Sequence, residues 1–235
     1  MKNTFQTFST WVFNRLWIDT TSSRKFYIVI ALVLARWFIW TAFMANRAIQ
    51  INFIPDTLFT ILLWLVVPFI WIFIAIKSKN PFISFLWYNF IIVPFGILLW
   101  PVVNQYSPDI VRNAFFMTAF TSIVMGILAT INPNFFSKIW TTLFMSLIAL
   151  VLIRILQIFI PSLNIAILDK FIPSLNLGLI DYIWATIFSL YIWYDMYRAN
   201  KMPKTIDNAI DICIDLYLDI INLFLYMLRI MGRKK

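Results

Sequence analysis

Long apolar runs separated by short polar breaks dominate this chain. Runs of about 17 to 25 apolar residues are long enough to cross a bilayer as α-helices. They fall at Phe26 to Met44, Thr57 to Ile76, Phe82 to Val103, Ile110 to Ile131, Ile139 to Ile160, Leu177 to Tyr197 and Thr205 to Ile230. The pattern therefore predicts an all-α membrane protein with seven transmembrane helices. Pro94 and Pro101 fall inside the third span, where neighbouring helices can accommodate a kink.

The breaks are short and polar except for Pro161 to Asn176. That stretch overlaps a local duplication, Phe159-Ile-Pro-Ser-Leu-Asn and then Phe171-Ile-Pro-Ser-Leu-Asn, and reads as a surface loop or a partly re-entrant hairpin. The expected organisation is an N-terminal cytoplasmic segment (1–25), one transmembrane domain (26–230) and a basic tail (231–235). With the N-terminus inside, ten Lys and Arg fall on the cytoplasmic side and seven outside, which favours that orientation. The Arg229 to Lys235 cluster dissents, since seven spans place it outside. The N-terminus lacks the basic-then-apolar order of a cleavable signal.

Composition narrows the chemistry. The chain is 62% apolar and 12% charged, against about 25% charged in a typical soluble domain, so lipid is the solvent for most of it. A net charge of +9 lies in loops and tails as a topology signal and does not indicate nucleic acid. There is no His and one cysteine, Cys213, which excludes an intrachain disulfide and a Cys/His zinc site. Glu is absent, so proton or cation chemistry rests on ten Asp.

Four of these, Asp207, Asp211, Asp215 and Asp219, recur every fourth residue within the last span. Four residues advance about 400° on a helix, so the stripe sweeps about 120° and rises about 18 Å. Asp207 and Asp211 lie in the first turns, where water and the helix dipole both accommodate a carboxylate. Asp215 and Asp219 lie deeper among Leu, Ile and Tyr and need a partner, a proton or a wet path. Asp195, in the preceding span, is a partner across the short Arg198 to Lys204 connection. Two carboxylates sharing a site hold a proton between them and, when both ionise, form a cation site. By depth alone Asp195 lies nearer Asp211 and Asp215 than Asp219. Arg36 and Arg154 are the counter-charges available within the bilayer, either as ion-pair partners or as gates, and Asp181 lies near enough to the end of its span to be solvated.

The run Ala209 to Gly232, with its core Leu216-Tyr-Leu-Asp-Ile-Ile-Asn-Leu-Phe224, resembles the last helix of the Bax inhibitor-1 (transmembrane BAX inhibitor motif) family. Asn113-Ala-Phe-Phe-Met-Thr-Ala-Phe120 and Tyr194-Asp195 resemble that family's fourth- and sixth-helix motifs, in order. The resemblance implies a C-terminal helix wrapped by the other six and a pH-regulated calcium leak governed by paired aspartates. By motif position the pair, and any calcium-binding site, is Asp195 and Asp219. Asp211 and Asp215 stand as additional cation ligands beyond the family pattern. The chain departs from that pattern in Met196-Tyr197 after the Tyr-Asp, in the absence of a carboxylate near Pro94 to Gly96, and in a second span without Arg, for which Lys77 just after the span and, first, Arg36 are the candidate gating cations.

Three function classes follow. The first is a non-enzymatic, pH-sensitive cation leak that needs no cofactor, carries calcium and has lipid as its surroundings. It suits either a bacterial plasma membrane or an organelle membrane. The second is a non-transporting scaffold that restrains another membrane complex, a protease or a cell-death regulator. The third, an intramembrane aspartyl protease, lacks its Gly-x-Gly-Asp motif, since Leu216-Tyr-Leu-Asp219 stands there.

Overall fold

In the computed structural model of the chain, the described residues are 22–50, 81–131, 141–146, 148 and 177–233. Five long helices occupy them: α1 (Ser23–Gln50), α2 (Pro81–Val103), α3 (Pro108–Ile131), α4 (Leu177–Lys201) and α5 (Ile206–Gly232). A further helical stretch covers 141–146, and no strand occurs among the described residues. These helices coincide with five of the predicted spans, extended by up to six residues where polar ends continue the helix. The second predicted span, most of the fifth, Arg154, the duplicated hairpin and the N-terminal segment lie outside the described residues. Ser23–Arg47 and Pro108–Ile131 are long and apolar enough to cross a membrane.

Local chemistry sets the helix starts. Ser22 caps α1, accepting from the Lys25 and Phe26 amides. Pro108 opens α3 with Asp109 in its first turn, which suits the positive end of the helix dipole. Thr205 caps α5 through its Oγ1, which accepts from the Asn208 amide at 3.1 Å. Pro94 and Pro101 lie within α2, which continues through both.

The chain divides into two compact units, Met1–Gln105 with Lys201–Tyr217 and Tyr106–Asn200 with Leu218–Lys235, so that each takes part of α5. In the first unit α2 packs closely on α1 at Gly96, where a Cβ would stand 2.7 Å from that of Met44 and 2.9 Å from the Thr41 carbonyl oxygen. A larger residue there would push the helices apart. Trp37 is fully buried, with Tyr88 and Tyr217 edge-on to it and Phe85 stacked. Tyr217 shares a 2.5 Å hydrogen bond with Thr41. Cys213 is buried, its thiol aimed at the Ile30 carbonyl.

In the second unit α3 buries small residues, Ala114, Thr118 and Ala129, and exposes Phe115, Phe116, Phe120, Ile123 and Ile127. That distribution is the reverse of a water-soluble helix and suits lipid contact. Tyr191 of α4 donates to the Leu143 carbonyl at 3.0 Å. The buried residues of α4 recur at three- and four-residue steps from Asp181 through Trp184, Phe188 and Ile192 to Asp195 and Ala199. Along α5 no residue from Asp207 to Gly232 is exposed.

Candidate functional site

The acidic residues of α5 fall in two settings. In the first unit Tyr88, 2% exposed on α2, donates its hydroxyl to Asp211 Oδ1 at 2.9 Å. Asp215 and Asp207 also act electrostatically on that hydroxyl. Arg36 lies in the same unit. Its Nη1 donates to Asn89 Oδ1 at 2.7 Å and its guanidinium lies 4.8 Å from the Phe85 ring centre. Among the described residues the partners of Arg36 are thus an amide and an aromatic face, rather than the carboxylate expected of a counter-charge. At the helix junction the Lys204 ammonium lies 4.8 Å from the Phe26 ring centre, and desolvation there lowers its pKa.

The second unit holds Asp195, Asp219 and Asp181. Asp195 is 4% exposed and Asp219 half-buried, and both act electrostatically on the hydroxyl of Tyr191, one turn before Asp195. Asp181 is 2% exposed and accepts an ion pair from each of two arginines: Arg233 Nη2 at 2.6 Å and Arg229 Nη1 at 3.5 Å. This corrects the expectation that Asp181 is solvated. Proximity to a helix end does not give it water, because the last turns of α5 cover it.

The register of α4 against α5 can be read from these contacts. Asp181 meets Arg233, and seven residues along in opposite directions Phe188 stacks on Tyr226 with ring centres 5.8 Å apart. Seven further residues on each helix lead to Asp195 and Asp219. The contacts of Asp181 with Arg229 and of Trp184 with Tyr226, at 5.5 Å, are offset from these by one turn, so the level of Asp195 falls within one turn of Asp219.

Among the described residues no group of three or more ligating side chains converges as a metal cage. Sequence reading missed Tyr88, Tyr191 and the two arginines on Asp181. The one signal that could have found the last is the equal spacing of 14 residues from Asp181 to Asp195 and from Asp219 to Arg233.

Helices without strands among the described residues, an outward apolar face on α3 and acidic side chains carried by an unexposed C-terminal helix define an α-helical membrane protein. A family model described as inhibitor of apoptosis-promoting Bax1 matches residues 21–235. The chain belongs to that family, the Bax inhibitor-1 family. It is also similar to an uncharacterized protein of Helicobacter pylori, 28% identical over 159 residues, a match covering 66% of this chain and 64% of that protein. The chain thus spans just under two thirds of the length of that relative.

Proposed function

We propose that this protein is a multi-pass, pH-sensitive cation leak, with calcium as the ion carried, gated by Asp195 and Asp219. The observation that supports the reading is that both carboxylates act on the hydroxyl of Tyr191, Asp195 from the buried stripe of α4 and Asp219 from α5. At low pH the pair holds a shared proton and the two helices close on each other. As pH rises both carboxylates ionise, repel and offer hard oxygen ligands to a cation, so flux increases with pH. Two carboxylates supply at most four oxygens where calcium takes about six to eight, which suits a place of passage completed by water. Asp211 and Asp215 extend the acidic surface of α5 toward Asp207, as additional ligands along the route.

The unexposed length of α5 supports a bundle of seven helices with this one at its centre. The charge balance of the loops supports a cytoplasmic N-terminus in a bacterial plasma membrane or an organelle membrane. Purified protein reconstituted into vesicles with an internal calcium dye tests the reading. The expected result is calcium entry that rises with pH and is flattened by the double variant Asp195→Asn, Asp219→Asn. Unchanged flux and pH profile in that variant would sink the gate.

A second reading, a scaffold that restrains another membrane complex, draws on the family description itself, which names the protein that is inhibited. On this reading the α5 carboxylates are a structural polar core. Purified protein alone then moves no ion, and a membrane partner co-purifies through the helices.

A further inference from the structure

Asp181, Arg229 and Arg233 stand outside the proposed gate, yet they join the same two helices. The carboxylate is buried at the start of α4, and the guanidinium-bearing side chains lie on the last turn of α5 (Arg229) and just past its end (Arg233), 39% and 41% exposed. The contact is reinforced on both sides. The Arg229 guanidinium lies 4.6 Å from the Tyr226 ring centre, and that ring stacks in turn on Trp184 at 5.5 Å and Phe188 at 5.8 Å. Beyond it Gly232 rests against the Tyr106 ring so closely that a Cβ would fall onto it. The charged groups nearest on α3, Asp109 and Arg112, pair with each other at 3.1 Å.

From this clamp to the level of Asp195 and Asp219 is 14 residues on either helix, about 21 Å of rigid α-helix. A helix pair held at one end by two ion pairs and an aromatic stack cannot slide by a turn without breaking them. A slide of one turn on α5 would change which of Asp215 and Asp219 lies nearer the level of Asp195. We infer that Asp181, with Arg229 and Arg233, is a set of positioning residues: an electrostatic clamp that fixes the register of α4 against α5 and so decides which carboxylate of the stripe faces Asp195. The inference rests on Asp195 and Asp219 acting as the gate, and it assigns a specificity to the stripe that its four-residue repeat does not contain.

The test uses the full chain in calcium-dye vesicles and hydrogen exchange of the same samples. Asp181→Asn, and separately Arg233→Gln, are expected to shift the pH midpoint of flux by about one unit, the scale on which a changed neighbouring charge moves a carboxylate. The exchange Asp181→Arg with Arg233→Asp restores the ion pair in reverse and is expected to return the midpoint. In the Asp181→Asn background, Asp215→Asn is expected to move the midpoint further than the same substitution does in the parent protein. A midpoint that stays fixed in the single variants, or that the charge exchange fails to restore, overturns the clamp. If the parent protein moves no calcium, the gate reading fails. The clamp is then judged by amide exchange: faster exchange around Asp195 and Asp219 in Asp181→Asn, reversed by the charge exchange, upholds register control. Faster exchange confined to the last turns of α5 overturns it. Should Asp181→Asn fail to fold, Arg233→Lys, which keeps the charge and loses the planar fork, is measured in its place against the same outcomes.

Discussion

The two parts of α5 treat their carboxylates differently. Before Leu218, Asp207, Asp211 and Asp215 lie in electrostatic reach of one neutral donor, the Tyr88 hydroxyl. After it, Asp219 shares with Asp195 an electrostatic action on the Tyr191 hydroxyl, and two arginines at and just past the helix end close on a third carboxylate, Asp181. A phenol can hold a carboxylate in either charge state, because it donates to the ion and still contacts the acid. A guanidinium demands the ion, and a second carboxylate opposes it. On the proposed function the first region would tolerate protonation and the second respond to it, although both belong to one continuous helix with one repeating acidic residue.

The largest break in this comparison is expected at the clamp. Asp181→Leu leaves two arginines facing an apolar residue, and their partial exposure reduces the usual cost of breaking a buried ion pair to about 2 kcal/mol. The midpoint of unfolding in mixed detergent should fall accordingly, and an unchanged midpoint would mean that the arginines find equal partners elsewhere. Tyr88→Phe should cost less, about 1 kcal/mol, for one hydrogen bond to a carboxylate within a membrane protein. It should leave the pH midpoint of calcium flux in place, and a moved midpoint would show that the first region belongs to the sensor. The smallest effect concerns Lys204. Its folded pKa lies below the ordinary lysine value, so the unfolded chain binds more protons between the two values. Stability should rise as pH increases through that alkaline window, and Lys204→Gln should remove the rise. A persistent rise would assign it to another group.

Hydropathy made most of the helical frame legible. Leu177 and Val103 end their helices where the apolar runs do, while Lys201 and Gln50 carry their helices further because a helix does not stop at the edge of hydrocarbon. The motif residues Asp195 and Asp219 were legible through resemblance and local setting, but their level was not. Sequence distance along each helix is readable, whereas the turn between Asn200 and Thr205 decides where counting begins on the second helix. Asp181 was misread for a related reason. Its position near a helix start suggests water, and the residues that exclude water arrive some 50 positions later in the chain. Tyr88 carried no signal at all, since one tyrosine among 24 Phe, 11 Trp and 9 Tyr does not stand out until a carboxylate is seen beside it.

The unexposed α5 also bears on how this protein is made. Ribosomes deliver the chain from its N-terminus, so the helix with four aspartates reaches the membrane after the other described helices. An aspartate at the centre of a spanning segment costs about 3 kcal/mol to insert from the translocon, and such a segment enters poorly by itself. Tyr88 and Asp181, which hold Asp211 and the two arginines, both precede it in the chain. Synthesis order would thus present each partner before the charged group that needs it.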